Sequence, residues 1–367
     1  MAIVKTHAVS RGGRLDQLLP SLASSLLPGD GTKPSIALSS GEDYVVYLVD
    51  GLGWEQLLAA RLDAPFLASL MGQGQVLTSG LPSTTVSSLM SLWTGLPSGQ
   101  HGLLGYSFHL PGLAEPIQPL SMPQPLPAPV PLTDAWIAAG IVVSWLLPPS
   151  HVGSAMTRMG AGNARLIEAR LDDDAERMGA LARASDGQRR SYIYAHDRRL
   201  DHAGHRFGVA SVEWNRQLSR IDSFLDGLRR HLPDSTRLLV TADHGLVEAR
   251  PQDQIELDEQ TSLHGLISQV AGEPRFRHLY SPHPQRLRAV MEDLIGDRSL
   301  VLERDQAIAQ GVFGPVDPVY QSRIGDVVVI AQSATGLLSR QNPGEYQLRG
   351  AHGGATSAER LVPLLQA

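Results

Sequence analysis

Two short apolar runs of this sequence each end in an aspartate that a glycine turn follows. They read DYVVYLVDGLG (43–53) and RLLVTADHG (237–245), and both are rich in Val and Leu up to Asp50 or Asp243. Continuous apolar runs of this length predict strands that are buried on both faces of a parallel sheet. Ligands of open α/β sheets bind outside the carboxyl ends of such strands. The two aspartates are therefore predicted to lie at a ligand-binding edge.

Helical patterns alternate with strand patterns along much of the chain. Further apolar runs predict buried parallel strands at 140–147, 191–197 and 326–332. At 85–93 and 212–232, apolar residues recur at the spacing of one helix face. This alternation predicts an α/β fold, a doubly wound and mostly parallel sheet with helices on both faces.

Changes of composition divide the chain. The segment PLSMPQPLPAPVPL (119–132) is too rich in proline to form a helix or an inner strand, so it predicts an extended surface crossing. From 251 to 345, short mixed segments replace the strand and helix alternation. We therefore predict a core of 1–250 and 346–367, with 251–345 as a smaller inserted cap subdomain over the site.

Composition excludes several classes of function. The formal net charge of the 367-residue chain is −6, so there is no basic field to hold a nucleic-acid polymer. The chain has no cysteine, which leaves His, Asp and Glu as the strong metal ligands. Neither a signal-peptide pattern nor a long apolar run is seen, so we expect a cytoplasmic protein that does not bind a membrane. The oligomeric state is left open.

Acidic residues and histidines recur at four separate places in strand ends and loops. The four sets are Asp50; Asp201 with His205 in DRRLDHAGHRFG; Asp243 with His244; and His352 in RGAHGG. A single aspartate after a strand is more often a helix N-cap or a turn former than a ligand. Four segments that bring carboxylates and imidazoles to one sheet edge instead predict a two-metal site.

Three hydroxyl residues precede the helix predicted at 85–93. Ser83, Thr84 and Thr85 follow a proline turn in SGLPSTTVSSLMSLWTGLPSGQHGLLGY (79–106). Ser83 or Thr84 would be a good N-cap. A helix N-terminus also holds phosphate, and a metal-activated hydroxyl there could attack phosphorus. Both interpretations are compatible if neighbouring hydroxyls divide the two roles.

Five motifs together point to a known family. YLVDGLG, LPSTTVSSLMSLWTGLPSGQHGLLGY, LDHAGHRFG, TADHG and GAHGG, in this order, resemble the type I phosphodiesterase/nucleotide pyrophosphatase family of the alkaline phosphatase superfamily. The resemblance covers most of the chain outside 251–345 and the proline-rich crossing. It implies an alkaline phosphatase-like core and a metal-dependent hydrolase of a small phosphodiester or pyrophosphate, with a nucleotide-like substrate.

The resemblance also implies a role for each site residue. Two divalent metal ions, zinc in this interpretation, would clamp the attacking and leaving oxygens from about 4 Å apart. Thr85 is the nucleophile by its register within TGLPSGQHG, and a covalent phospho-threonine would form on it before water hydrolyses it. The implied ligands are Asp201, His205 and His352 for one ion, and Asp50, Asp243, His244 and Thr85 for the other.

One position departs from the family pattern. Tyr106 stands in HGLLGY where pyrophosphatases of the family usually carry an asparagine that contacts a phosphoryl oxygen. The phenol could donate the same hydrogen bond, as in relatives that hydrolyse phosphonate esters, or it could pack under the loop. A phosphomonoesterase or phosphonate hydrolase with the same two-metal site is therefore an alternative. A non-catalytic phosphate-binding protein is a minor one.

Basic residues of the predicted cap are candidates for contacts with the substrate. Arg275, Arg277 and His278 lie in EPRFRHLYSPH, and we expect Arg277 in particular to bind the leaving group of large substrates. The alternative is that these residues form a solvated surface patch.

Overall fold

A seven-stranded sheet forms the centre of the protein. The computed structural model describes residues 12–27, 33–185 and 190–367. From one edge to the other the strands of this sheet are β2 (Gln75–Thr78), β15 (Leu361–Gln366), β6 (Thr236–Thr241), β1 (Asp43–Val49), β5 (Ser191–Asp197), β3 (Val142–Leu147) and β4 (Arg165–Glu168). β1 pairs in parallel with β5 and β6, and β3 pairs in parallel with β4 and β5. Only β15 runs antiparallel to its neighbours β2 and β6. The predicted α/β fold with a mostly parallel sheet is confirmed.

Helices cover the sheet on both faces. Those of the described residues are α1 (Leu18–Leu26), α2 (Trp54–Ala59), α3 (Pro65–Leu70), α4 (Thr85–Thr94), α5 (Ser98–His101), α6 (Leu132–Ala138), α7 (Ala155–Gly160), α8 (Asp174–Ala184), α9 (Arg199–Phe207), α10 (Val212–His231), α11 (Pro284–Ile295), α12 (Arg304–Ala309) and α13 (Ser357–Arg360). Trp93 of α4 packs on Tyr194, with ring centroids 5.9 Å apart. Phe224 of α10 packs on Tyr47 at 5.5 Å. Tyr47 pairs with Ala195, the residue after Tyr194, so the two aromatic contacts lie on opposite faces.

Residues 251–345 contain a second sheet with a different topology. It is antiparallel, in the order β11 (Ser299–Glu303), β12 (Val327–Ala331), β10 (Phe276–Tyr280) and β9 (Gln269–Glu273). Two small sheets pair β8 (Gln254–Glu256) with β13 (Gly336–Leu338), and β7 (Val247–Glu248) with β14 (Gly350–Ala351). The second sheet also has its own apolar cluster with α11. The division into core and cap subdomain stays a prediction that these features favour.

The strand predicted at 326–332 belongs to a different sheet from the one expected. The run at 326–332 forms β12, but this strand is antiparallel and belongs to the second sheet, so its assignment to the parallel sheet is wrong. Val327 and Val329 pack in one apolar cluster, and Val328 and Ile330 pack in another. Because both faces of β12 are covered, its sequence has the continuous apolar pattern of a buried parallel strand.

The proline-rich segment crosses the surface as predicted. After a short turn at Pro119–Ser121 it runs extended and mostly exposed until α6 begins at Leu132. Within the described parts of the chain, no helix combines the length and the apolar character that a membrane span needs.

Candidate active site

The predicted site residues come from adjacent parts of the central sheet. Asp50 directly follows β1, and Asp243 lies two residues beyond the end of the neighbouring strand β6. Asp201 and His205 lie on α9, which begins two residues after the end of β5. His352 follows β14. Since β1, β5 and β6 run parallel, their carboxyl ends meet at one edge, as the sequence pattern predicts.

The glycine after Asp50 makes the close approach of α9 possible. Gly51 has φ of 77°, a left-handed conformation that other residues rarely adopt. A Cβ atom at this position would lie 3.0 Å from both Cα and Cβ of Asp201. The turn therefore needs glycine for its conformation and for the space that it leaves to Asp201.

Thr85 is the first residue of α4 and reaches the ligand cluster. Its hydroxyl Oγ1 lies 3.1 Å from Nε2 of His244, which accepts the hydrogen bond because Nδ1 of His244 donates to the Gly245 carbonyl at 3.2 Å. Thr84 is the N-cap residue and is buried, but its side chain makes no capping hydrogen bond within the described structure. The Ser83 hydroxyl donates instead to the Gly354 carbonyl at 2.8 Å. The first N–H groups of α4 therefore have no side-chain cap and can hold an anion.

Carboxylate and imidazole atoms converge in two overlapping groups. Asp201, His205 and His352 form one group, and Asp50, Asp201 and His244 form the other; in each, the ligand atoms lie within 4.8 Å of one another. Asp243 adjoins the second group, with Oδ2 3.4 Å from Nε2 of His244. Asp201 reaches both groups, whereas the sequence interpretation gave it to one only. How the residues divide between two ions stays a proposal.

Backbone carbonyls fix the orientation of the histidines. Nδ1 of His205 donates to the Gly350 carbonyl at 2.8 Å, and Nδ1 of His352 donates to the Ser83 carbonyl at 3.1 Å. In both rings, as in His244, this leaves Nε2 as the nitrogen with a free lone pair. Burial lowers the pKa of His205, lowers that of His352 well below its usual value, and lowers that of His244 to about 3. The rings are therefore neutral, which is the form that binds a metal.

Three carboxylate oxygens of the site have no hydrogen-bond partner in the described protein. Oδ1 of Asp50, Oδ1 of Asp201 and Oδ2 of Asp243 are buried and have no hydrogen-bond partner among the described residues. Burial, and next the neighbouring carboxylates, raise the pKa of all three well above the usual value. Unpaired buried oxygens beside lone-pair nitrogens suit divalent cations. The donor set therefore fits the metal ions that the resemblance implies, and its nitrogen and oxygen atoms suit zinc.

Sequence reasoning missed two residues beside this cluster. Nε2 of His196 lies 2.9 Å from Oδ2 of Asp50. His196 is the last residue but one of β5. Its position near the carboxyl end of a predicted strand could have indicated that it lies beside the site. Glu273 ends β9 in the second sheet, and its Oε2 lies 3.8 Å from Nδ1 of His352. No motif marks Glu273, because the second sheet meets the site only in the folded chain.

A pocket of about 470 Å³ opens beside Thr85. Its wall includes Tyr106, whose role stays a prediction. The Tyr106 hydroxyl is 3.5 Å from Oε1 of Gln118, and burial raises its pKa. The remaining lining residues are Thr84, Gln118, Leu120, Asp201, His205, Glu273, Pro274, Gln341, Asn342, Pro343, Gly344, Glu345, Leu348, Ala351 and His352.

The three basic candidates of 251–345 do not line this pocket. Arg277 is buried, and its guanidinium pairs with Glu345 and donates to the Leu337 carbonyl at 2.9 Å. Arg275 is buried in a pair with Glu359 at 2.6 Å. The buried His278 ring donates to the Leu104 carbonyl at 2.8 Å. Because Arg277 is buried and paired, the structure does not agree with the expected direct contact between Arg277 and the substrate. It does not agree with a solvated surface patch either, since all three residues are buried.

A comparison with protein-family profiles identifies the chain. The profile of the type I phosphodiesterase / nucleotide pyrophosphatase family matches residues 44–355, which include every predicted metal ligand and Thr85. This chain belongs to that family. The predicted family is thus confirmed, and with it the class of phosphoryl hydrolases of the alkaline phosphatase superfamily. No curated protein sequence matches the chain significantly.

Solved structures show the same fold at low sequence identity. Murine ectonucleotide pyrophosphatase / phosphodiesterase 5, an inactive variant in complex with AMP, superposes with a TM-score of 0.70 at 16% identity, over 88% of this chain and 87% of the other. The human protein of the same name gives a TM-score of 0.67 at 17% identity, over 88% and 87%. Phosphonoacetate hydrolase from Sinorhizobium meliloti, in complex with phosphonoformate, gives 0.64 at 19% identity, over 88% and 89%.

Proposed function

We propose that this protein hydrolyses a small phosphodiester or pyrophosphate at a two-metal site, through a covalent phospho-threonine on Thr85. The position of the Thr85 hydroxyl carries this proposal. It lies 3.1 Å from Nε2 of His244, on the first turn of α4, and on the wall of the pocket. A hydroxyl with a pocket on one side and a ligand cluster on the other is placed to attack a bound phosphorus atom.

The chain offers ligands for two divalent ions, which we propose are zinc. Asp201, His205 and His352 would hold one ion, and Asp50, Asp243 and His244, with the Thr85 hydroxyl, would hold the other. When bound, such a pair offsets the charge of the carboxylates and stabilises the charge that develops on the attacking and leaving oxygens.

The protein's own groups would bind and orient the phosphoryl group. The first N–H groups of α4 have no side-chain cap and would bind its non-bridging oxygens. The Thr85 hydroxyl lies 3.1 Å from Nε2 of His244, so an ion held by this nitrogen would also be within reach of the hydroxyl. In the first step a bond forms between Thr85 Oγ1 and phosphorus while the bond to the leaving group breaks. In the second, water displaces Thr85 and restores its hydroxyl.

Tyr106 favours a second candidate reaction on the same site. Tyr106 lines the pocket, and its phenol would donate a hydrogen bond to a phosphoryl oxygen, in the place of the asparagine that is usual in the family. A structurally similar protein is a phosphonoacetate hydrolase, so a phosphonate or a phosphate monoester is the alternative substrate.

Two chromogenic substrates separate these functions. The protein is stripped of metal with a chelator, zinc is restored, and turnover of bis(p-nitrophenyl) phosphate is compared with that of p-nitrophenyl phosphate. Preference for the diester supports the proposed function, and preference for the monoester supports the alternative. No turnover of either compound, with or without metal, would contradict both.

Adjacent threonines provide a matched test of the nucleophile. Thr85→Ala should lower turnover by a factor on the order of 10⁴ or more, because no other hydroxyl takes its place. Metal content and fold should be retained. Thr84→Ala should have a mild effect, since the Thr84 side chain makes no capping hydrogen bond in the described structure. The reverse ranking of these variants would move the nucleophile by one residue.

A further inference from the structure

A second pocket of the protein is separate from the one beside Thr85. It has a volume of about 200 Å³, and the two pockets share no lining residue within the described chain. Gly80 and Leu81, in the segment that leads from β2 to Thr85, form one part of its wall, and residues 311–315 form another. The wall also contains Arg360, the last residue of α13. The pocket is thus built by parts of the chain that lie far apart in sequence.

Arg360 has a charge that is not paired in the described structure. Its guanidinium makes one hydrogen bond there, from Nε to the Ser79 carbonyl at 3.2 Å, and neither terminal amino group has a partner. Glu359, the next residue in the chain, is already paired with Arg275, with Nε 2.6 Å from Oε1. Arg360 is partly buried, and this burial lowers the pKa of its guanidinium. Such a group is suited to an anion that the protein itself does not supply.

The other charges of the wall pair with each other. Arg14 and Asp16 are the remaining charged residues among those that line the pocket, all of them in the described chain. Arg14 donates from Nε to Oδ1 of Asp16 at 3.0 Å and from Nη2 to Oδ2 at 2.9 Å. Arg360 therefore gives this wall a single unpaired positive charge. One such charge matches a ligand with one negative charge.

Ser91 offers a second donor beside this charge. Leu103 donates its backbone N–H to Nδ1 of His101 at 3.1 Å, and burial lowers the pKa of His101 to about 3. The ring is therefore neutral, with its proton on Nε2. Nε2 lies 3.0 Å from Oγ of Ser91 and donates to it. The Ser91 hydroxyl thus accepts one bond, and its own proton remains for an acceptor in the pocket that Ser91 lines.

Apolar side chains complete the wall. Leu81, Pro97, Val312, Phe313 and Pro315 line the pocket together with the polar groups. Leu81, Val312 and Phe313 also belong to one apolar cluster. A bare inorganic anion would leave these side chains without a partner, whereas an aryl or short alkyl group would cover them and remove apolar surface from water. The wall therefore suits an anion with an apolar substituent.

We propose that this pocket binds a small monocarboxylate with an apolar substituent, such as an aryl carboxylate. The guanidinium of Arg360 pairs with the carboxylate oxygens, and the Ser91 hydroxyl donates to one of them. The substituent packs on Leu81 and Phe313. This site is distinct from the metal site and does not depend on the reaction proposed above.

Titration of the zinc-loaded protein with 4-fluorobenzoate, followed by fluorine NMR, tests this site. The control ligand is 4-fluorobenzamide, a neutral compound of nearly the same shape. We expect wild-type protein to bind the carboxylate about 10-fold more tightly than the amide, as for a charge-assisted hydrogen bond. Arg360→Gln should weaken binding of 4-fluorobenzoate about 10–30-fold and that of the amide much less. Arg216→Gln, an exposed change of equal charge on α10, should bind both compounds as wild-type protein does.

Urea denaturation without ligand establishes whether each variant is folded, and Ser91→Ala provides a second test. This change removes one donor from the pocket and favours the helix, so it should weaken binding of 4-fluorobenzoate about 3–10-fold. A folded Arg360→Gln protein that binds 4-fluorobenzoate like wild type would place the carboxylate at the zinc site and overturn the inference. If Arg360→Gln does not fold, unchanged binding by Ser91→Ala overturns it. Equal affinity of wild-type protein for both compounds, or no binding of either, overturns it as well.

Discussion

The charge of the ligand cluster predicts that one mutation stabilises the metal-free protein. Asp50→Asn keeps the shape of the side chain and removes one negative charge. The amide oxygen can still accept from His196, which lies 2.9 Å from Asp50 Oδ2. The amide nitrogen would replace Oδ1, which lies 3.5 Å from the lone-pair nitrogen Nε2 of His244. An unpaired acceptor is thus replaced by a donor beside Nε2 of His244, whose lone pair it would share with the Thr85 hydroxyl.

The magnitude follows from the spacing of the charges. Ligand oxygens of Asp50 and Asp201 lie within 4.8 Å, where two unit charges repel by about 3.5 kcal/mol or more at an effective dielectric constant of 20. Partial protonation of the wild-type carboxyls relieves some of this repulsion. We therefore expect Asp50→Asn to raise the free energy of unfolding of the metal-free protein by about 1–3 kcal/mol at pH 8.

The same effect has a defined pH dependence. Burial raises the pKa of Asp50 well above its ordinary value of 3.8 in the folded protein, so the folded state binds a proton that the unfolded state has released. The free energy of unfolding of metal-free wild-type protein should therefore fall as the pH rises from 3.8 toward the raised pKa. Asp50→Asn should make this decline less steep.

Urea denaturation with a chelator present measures the change, and a second aspartate serves as control. Asp222 is also buried, but its oxygens accept from the N–H groups of Leu67 and Phe66, at 2.8 and 3.2 Å. Asp222→Asn should therefore destabilise the protein by about 1 kcal/mol or more. With zinc restored, wild-type protein should become more stable than Asp50→Asn. A metal-free Asp50→Asn protein that is less stable than wild type would refute the view that these carboxylates repel one another.

Two further predictions concern residues around the site. His196→Gln should weaken metal binding about 10–100-fold in a chelator competition, because His196 orients Asp50, and unchanged affinity would show that this contact is not needed. Arg277→Ala should lower the free energy of unfolding by about 3–5 kcal/mol, because Glu345 loses its partner in a buried pair. A variant of normal stability in urea that has lost activity toward large substrates would instead show direct contact with the substrate.

The central sheet could be predicted because its strands carry a strong local signal. β1 is buried along its whole length, and a strand covered on both faces needs an unbroken apolar run. The same rule explains the error at β12. Its alternate residues pack into two different apolar clusters, so its sequence resembles that of a parallel strand. Which sheet a strand joins depends on contacts with residues distant in sequence. The apolar pattern of the strand alone does not predict these contacts.

The sequence predicts site residues only where an acidic residue or a histidine directly follows a recognisable strand. Asp50 and Asp243 follow adjacent parallel strands, so their meeting is a consequence of the fold. Glu273 lies on an antiparallel strand of the second sheet, where nothing local indicates that it faces His352. Arg277 had the charge of a substrate contact, but its side chain points to Glu345 inside the wall. Charge in a sequence does not reveal whether the group faces a ligand or an internal partner.

The stereochemical course of the reaction at phosphorus tests most directly whether Thr85 is the nucleophile. The zinc-loaded protein would transfer the phosphoryl group of a chiral phosphorothioate diester to methanol, and the configuration of the product would be read by phosphorus NMR. Attack by Thr85 followed by attack of the acceptor gives two in-line displacements, so we expect net retention. Net inversion would mean that the acceptor attacks phosphorus directly, and it would contradict the assignment of Thr85 as the nucleophile.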